Sequence, residues 1–302
     1  MMRLWERFTP ERAGPNGTCV VFGDFDGMHP GHMAAVSVML ITAAQKGLTP
    51  VVASFDRDQE GDERILTCEN EKLHLLRQRG HKAGLFLSLP PCEVDEGFIA
   101  EALVGRLGAR AVVAGANHDK LGLLRECGKK HGFEVVACDV ATAGGDPIES
   151  GRIRDLILAC DFEAAGLLMC HPHIVLGEVV KGKQLGRTIG LPTANIDFPK
   201  NKLLPPDGVY VTVTDLDGER RAGLSNIGLR PTVDNFAYRT VEAHILDYSG
   251  DIYGRELLLE IHKFIRGIRK FGGLDEVRAQ VAKDLEAARG FIETLTAGFI
   301  PD

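Results

Sequence analysis

The sequence predicts a two-domain α/β chain: a parallel sheet covered by helices, followed by a small antiparallel β-barrel with a terminal helix. Three observations carry this. Apolar strand-like runs alternate with helical patterns as far as residue 169; from His173 onward the segments are β-rich and punctuated by glycine turns; and Leu274 to Leu295 forms one long amphipathic pattern. A length of 302 residues accommodates two ordinary domains, each with its own core. The pattern changes near residues 168 to 173, which divides the chain into 1–168 and 169–302.

Thr18 to Gly23 (TCVVFG) is a short apolar run of strand type, and a glycine-rich turn follows it. A helix is expected over His32 to Lys46, stopped by Gly47, and a second strand over Pro50 to Phe55. Helical patterns at Glu69 to Arg79, Asp95 to Leu107 and Leu121 to His131 alternate with strand-like runs at Ala83 to Leu89, Arg110 to Ala114 and Phe133 to Cys138. Such alternation favours a parallel sheet, whose ligands sit beyond the carboxyl ends of its strands. Residues 150–169 read as two short helices separated near Asp161. Strands are then expected at Ile174 to Val180, Gly208 to Asp215, Arg220 to Ile227, Thr240 to Leu246 and Glu256 to Phe264, with turns at Asp217-Gly218 and Ser249-Gly250.

Composition is globular, 44% apolar and 25% charged, and the formal net charge of -7 argues against a general nucleic-acid binder or a polybasic membrane surface. The N-terminus lacks an apolar run of signal-peptide length, and no stretch reaches the ~18 consecutive apolar residues of a membrane span, so a cytoplasmic protein is expected. Seven cysteines without a Cys-x-x-Cys pair read as reduced thiols rather than as a disulfide frame or zinc site. His171-Pro-His173 reads as a linker turn.

Two stretches carry chemistry. In Gly182-Lys-Gln-Leu-Gly186-Arg187-Thr-Ile-Gly190-Leu-Pro192-Thr193-Ala-Asn195, three glycines at four-residue spacing let the backbone approach an anion, while Thr193 and Asn195 offer neutral oxygens suited to magnesium. The overlapping Gly177-Glu-Val-Val-Lys-Gly182-Lys183-Gln184 approaches a Walker A loop, but Gln184 replaces the required hydroxyl and the Val pair sits in a strand. The second stretch is the turn Gly23-Asp-Phe-Asp26-Gly27-Met-His29-Pro-Gly-His32. It places two histidines three apart at a helix start, where backbone N–H groups and the helix dipole favour phosphate.

The turn resembles the HxGH-type nucleotidyltransferases, and specifically the adenylyltransferase module of bacterial bifunctional riboflavin kinase/FAD synthetases. The resemblance implies a Rossmann-like nucleotidyltransferase domain in which Gly23, Asp26 and Gly27 shape the turn, His29 and His32 bind nucleotide phosphates, and Ser150 and Arg154 belong to the closing helix. It also implies that the FMN phosphate attacks the α-phosphorus of ATP. Three segments depart from the family pattern. Glu149-Ser150-Gly151-Arg152-Ile153-Arg154 lacks a hydroxyl at 151, Phe55-Asp-Arg-Asp-Gln replaces a Pro-His-Pro-like segment, and Ala116 to Gly122 lacks the flavin-stacking aromatics. Losing those aromatic surfaces weakens stacking by about 1 kcal/mol or more per ring.

The second half resembles the flavokinases through the glycine run, Asp207-Gly-Val-Tyr210, Asn226-x-Gly228-x-Arg230-Pro231-Thr232 and Thr240-x-Glu242-x-His244. That resemblance implies ATP binding by Gly182, Gly186, Arg187 and Gly190, with magnesium at Thr193 and Asn195. It implies flavin contacts from Asn226, Arg230, Arg269 and Phe271, with Ile268 where the family carries Glu, and Glu242 as catalytic base. A carboxylate suits that role because riboflavin's ribityl hydroxyl must lose a proton as it attacks the γ-phosphorus. The expected activity is ATP-dependent conversion of riboflavin to FMN and of FMN to FAD, by a monomer or weak homo-oligomer with no nucleic-acid or membrane partner. Two alternatives stay open: a riboflavin kinase with a degenerate or repurposed first domain, and a non-enzymatic flavin-binding regulator.

Overall fold

The computed structural model describes residues 15–58, 64–81, 85–182, 192–231 and 237–297. Contacts divide the chain into two compact units, Met1–Arg152 and Ile153–Asp302.

The first unit is a five-stranded parallel sheet of β1 (Thr18–Gly23), β2 (Thr49–Phe55), β3 (Leu85–Leu89), β4 (Ala109–Gly115) and β5 (Glu134–Cys138), in the order β3-β2-β1-β4-β5. Chain direction across the sheet reverses between β1 and β4, so a crevice opens past their carboxyl ends, where the Gly23 turn lies. Helix α1 (Pro30–Lys46) starts two residues before the sequence expectation. Proline, with no N–H to satisfy, suits a first helical position, and the His29 side chain accepts from the Gly31 N–H at 3.2 Å. Gly47 ends it in the left-handed conformation at φ 66°. Helices α2 (Glu69–Gln78) and α4 (Leu121–His131) agree with the periodic pattern, whereas the expected 95–107 helix is a short α3 (Glu96–Phe98) running into a π-helical stretch, Ile99–Arg106. A small hairpin, β6 (Thr142–Ala143) with β7 (Asp146–Pro147), was not foreseen. Phe22, Phe55 and Phe98 form an aromatic cluster with centroids 5.8–6.4 Å apart in a core that also holds Val20, Val51, Leu87, Val112 and Leu124.

The second unit begins within α5 (Ser150–Leu158) and continues through α6 (Phe162–Met169), capped by Asp161. Six strands then close a barrel: β8 (His173–Val180), β9 (Ala194–Asp197), β10 (Gly208–Leu216), β11 (Glu219–Pro231), β12 (Ala237–Ile245) and β13 (Glu256–Gly267), in the order β10-β11-β12-β9-β8-β13. At four residues, β9 is too short to show alternation in sequence, yet it pairs with both β8 and β12. His173 is not part of a linker turn: it opens β8, is buried, and its Nε2 lies 3.0 Å from the Leu203 carbonyl oxygen. Helix α7 (Leu274–Ala297) lays Leu285, Ala288, Phe291 and Ile292 over Val209, Val211, Ala222 and Leu224. These apolar faces leave water together, which is what docks the helix.

All seven cysteines are free thiols. Among the described residues no helix is long and apolar enough to cross a membrane, and no three His, Cys, Asp or Glu side chains gather as a metal-binding group.

A buried polar cluster joins β2, β3 and α2. Lys72 Nζ donates to Glu69 Oε1 at 2.7 Å and to Ser54 Oγ at 2.9 Å, Ser88 Oγ donates to Glu69 Oε2 at 2.6 Å, and Asp58 accepts from the Glu69 N–H at 3.2 Å. Burial, reinforced by the carboxylates of Glu69 and Asp56, pushes the Asp58 carboxyl up to about 6, against the pull of the Glu69 N–H and Lys72. The folded state therefore holds a proton here that the unfolded chain releases near pH 4, so this group's contribution is full below about pH 4 and is lost as pH rises through about 6. Asp58→Asn should flatten the decline in the urea midpoint between pH 4 and 6. An unchanged slope would show that Asp58 titrates normally.

Candidate active sites

In the first unit, the turn after β1 is held in shape from several sides. Phe25, Gly27 and Met28 adopt φ of 49°, 85° and 42°, a conformation costly for the two non-glycine residues and maintained because Phe25 and Met28 are almost fully buried. Asp26 Oδ1 accepts from the Leu66 and Thr67 N–H groups at 2.7 and 3.0 Å, the Gly27 N–H donates to Thr67 Oγ1 at 2.8 Å, and Ser150 Oγ donates to the Asp26 carbonyl at 2.7 Å. Asp26, Gly27 and Ser150 are therefore one hydrogen-bonded group, although 124 residues separate Asp26 from Ser150. Gly23 ends β1, and Arg154 is half-buried on α5 in the second unit.

His29 and His32 stack, with ring centroids 3.7 Å apart and planes at 26°, and Phe25 meets His32 edge-on at 5.6 Å. Burial, then His29 and Lys72, hold the His32 imidazole well below its ordinary value, so it is neutral at pH 7. Its Nδ1 is buried with no hydrogen-bond partner among the described residues. The stacked pair, with His32 neutral, presents ring nitrogens beside the backbone donors of a helix N-terminus, an arrangement suited to phosphate oxygens. Two of the divergent segments have structural roles. Phe55 belongs to the aromatic cluster, and His118 packs edge-on against Phe22 at 5.8 Å while its Nδ1 accepts from the Lys120 N–H at 3.1 Å.

In the second unit, strand pairing builds the site. Glu242 on β12 is in register with Asn195 on β9 and with Asn226 on β11. Directly opposed residues share a sheet face. On β12, Val241, Ala243 and Ile245 are buried whereas Glu242 and His244 are partly exposed, so the Asn195–Glu242–Asn226 row faces outward. His244 Nδ1 lies 2.8 Å from the Pro192 carbonyl, and as donor it fixes the approach to Thr193 and Asn195. Gly182 abuts Asn195 so closely that a Cβ there would stand 2.3 Å from its amide nitrogen, so a side chain at this first glycine of the run would require the Asn195 amide to move. Thr193 lines a pocket with Val179, Ile245, Tyr248, Ile252 and Tyr253.

The other expected residues divide. Gly186, Arg187, Gly190 and the side chain of Arg230 lie outside the described residues. Arg269 Nη1 donates to Gln280 Oε1 of α7 at 3.1 Å, and the Phe271 ring lies 5.7 Å from the Arg266 guanidinium. Sequence reasoning gave no role to Arg239, which donates to the carbonyls of Leu204 and Pro205 at 3.0 and 2.5 Å and to Asp207 Oδ1 at 2.7 Å. It thereby anchors the Asp207-Gly-Val-Tyr210 strand start. Nothing local in the sequence around Arg239 signals contacts more than thirty residues away.

A parallel sheet with paired histidines at its switch point, followed by a six-stranded barrel carrying a carboxylate between two amides, defines a nucleotidyltransferase-type unit joined to a flavokinase-type barrel. Two family models match in tandem, FAD synthetase over residues 11–152 and riboflavin kinase over residues 169–292. The chain belongs to the bifunctional riboflavin kinase/FMN adenylyltransferase family: it is 30% identical to the Pseudomonas fluorescens member, with 96% of each chain covered, and 32% identical to that of Escherichia coli (strain K12), covering 93% of this chain and 94% of the relative. A solved structure from Streptococcus pneumoniae, described as a macrolide-efflux protein, is similar with a TM-score of 0.73 and 27% identity, covering 93% of this chain and 97% of that one.

Asp26→Ala leaves two backbone N–H groups without their acceptor and should lower unfolding free energy by about 1–3 kcal/mol in urea titrations. Asp26→Asn keeps one acceptor oxygen and should cost less; equal losses would place the effect elsewhere.

Proposed function

We propose that this chain phosphorylates riboflavin to FMN with ATP in its barrel and adenylylates FMN to FAD in its parallel-sheet unit. The functional division is taken at 1–168 and 169–302; the riboflavin kinase match over residues 169–292 supports it. The observation that carries the kinase assignment is the register of Asn195, Glu242 and Asn226 across three adjacent strands. Glu242 accepts the proton of the riboflavin 5′-hydroxyl as that oxygen bonds to the γ-phosphorus of ATP, and the bond to the ADP oxygen breaks. Asn226, Arg230, Arg269 and Phe271 receive the flavin; Gly182, Gly186, Arg187 and Gly190 surround the nucleotide phosphates.

Magnesium fits Thr193 and Asn195, since both offer neutral hard oxygens and no basic side chain is in register with Asn195 on β8 or β12. When bound, it supplies neutralisation of phosphoryl charge. In the first unit, an FMN phosphate oxygen attacks the α-phosphorus and pyrophosphate leaves, with no protein nucleophile. Gly23, Asp26 and Gly27 hold the turn, His29 and His32 bind phosphates, and Ser150 completes this unit's part of the nucleotide site. The lack of flavin-stacking aromatics in Ala116 to Gly122 favours weak FMN binding. The protein acts in the cytoplasm, as a monomer or weak homo-oligomer, with small molecules as its partners.

Incubation with ATP, magnesium and either riboflavin or FMN, followed by chromatography, tests both halves. FMN should form from riboflavin and FAD from FMN. FMN without any FAD would leave a kinase alone, and no product would leave a flavin-binding protein. Glu242→Gln should lower FMN formation by ~10² or more while sparing FAD formation from supplied FMN; His32→Ala should do the reverse. Normal FMN formation by the Glu242 variant would exclude it as the base.

A further inference from the structure

The Asn195–Glu242–Asn226 row does not end at β11. Asn226 is in register with Val209 on β10, and Val209 with Arg266 on β13. Arg266 therefore stands on the same sheet face, two strands beyond Asn226. Its guanidinium is held by a single carboxylate: Nε donates to Asp284 Oδ2 at 3.0 Å and Nη2 to the same oxygen at 2.7 Å. Asp284, on α7, is 2% exposed. The same carboxylate also accepts from Gln280 Nε2 at 2.9 Å, and Gln280 Oε1 accepts from Arg269 Nη1 at 3.1 Å. Arg266 in turn lies 5.7 Å from the Phe271 ring and donates to the Gly267 carbonyl at 3.2 Å.

Asp284 thus ties down both Arg266, which precedes the Gly267–Phe271 segment, and, through Gln280, Arg269 within it. A second tie, from the Gly272 N–H to Glu276 Oε2 at 2.9 Å, holds the far end of that segment to the first turn of α7. Helix docking alone does not require this arrangement, because Leu285, Ala288, Phe291 and Ile292 already supply an apolar contact with the barrel. A buried carboxylate with several donors is a costly way to add adhesion, and such groups are better suited to fixing one geometry.

We propose that Asp284 is a positioning residue of the riboflavin site: it sets the Gly267–Phe271 segment at the edge of the Asn195–Glu242–Asn226 row, so that Arg269 and Phe271 are preorganised for the flavin before it binds. The proposal rests on the kinase reading of the barrel. Preorganisation of this kind lowers the ordering cost of binding and shows in riboflavin affinity rather than in nucleotide affinity.

Asp284→Asn in the full chain should raise the riboflavin KM by about tenfold, with kcat and the ATP KM changed by less than about twofold. FAD formation from supplied FMN should be unchanged. Riboflavin Kd, read from quenching of flavin fluorescence, should weaken in parallel, and Asp284→Glu should recover part of the loss. Removing one partner of a buried ion pair can unfold the helix, so the paired variant Arg266→Leu with Asp284→Leu, which keeps an apolar contact, is measured beside it together with its melting temperature. A paired variant that melts like the wild type but binds riboflavin about tenfold more weakly supports the proposal. One that melts like the wild type and binds riboflavin normally overturns it, as does an Asp284→Asn enzyme whose ATP and riboflavin KM values rise together. If the wild-type chain itself forms no FMN, the kinase reading fails instead.

Discussion

The barrel's candidate site depends on strand register. Asn195, Glu242 and Asn226 come from three parts of the chain, and only hydrogen bonding of β9, β12 and β11 in this alignment brings them onto one row. Because side chains alternate faces every residue, a slip by one would turn Glu242 into the apolar barrel interior beside Val241 and Ala243, and would turn a core residue outward. The barrel interior therefore enforces the site: moving the carboxylate means burying a charge and exposing a core residue. His244, two residues on from Glu242 and on the same face, uses that alignment to grip the Pro192 carbonyl, so the register reaches beyond the strands into the segment leading to β9.

The first unit solves its problem differently. Its candidate phosphate site lies in a turn, which has no ladder to define it, and the turn is shaped by buried Phe25 and Met28 and by hydrogen bonds from residues 66, 67 and 150. Three of those groups converge on Asp26 alone: the two N–H groups at its carboxylate and the Ser150 hydroxyl at its carbonyl. The histidine pair is thus positioned by distant parts of the sequence, and burial, aided by His29 and Lys72, keeps His32 neutral.

The layered architecture was legible in the sequence because apolar periodicity is a local property, and the β-rich segments begin with β8 at His173. The motifs in the glycine run, at Asn226 and around Glu242 pointed to the barrel residues that strand pairing then aligns. What could not be read was anything set by pairing between distant strands. The four residues of β9 show no alternation, His173 looked like part of a linker because its burial is decided by a carbonyl thirty residues on, and nothing in the amphipathic pattern of 274–295 marks Asp284 as the partner of Arg266. Asp26 was legible as a turn residue, but the identity of the N–H groups it accepts from was not.

Strand β9 has a consequence for motion. It carries Asn195, spans only four residues, and is hydrogen-bonded on both sides, to β8 and to β12, so it has no free edge along which to peel. Displacing Asn195 by more than a side-chain rotation would open the closed barrel and give up two ladders at once. The two ladders therefore hold the amide as a fixed post on that face of the barrel.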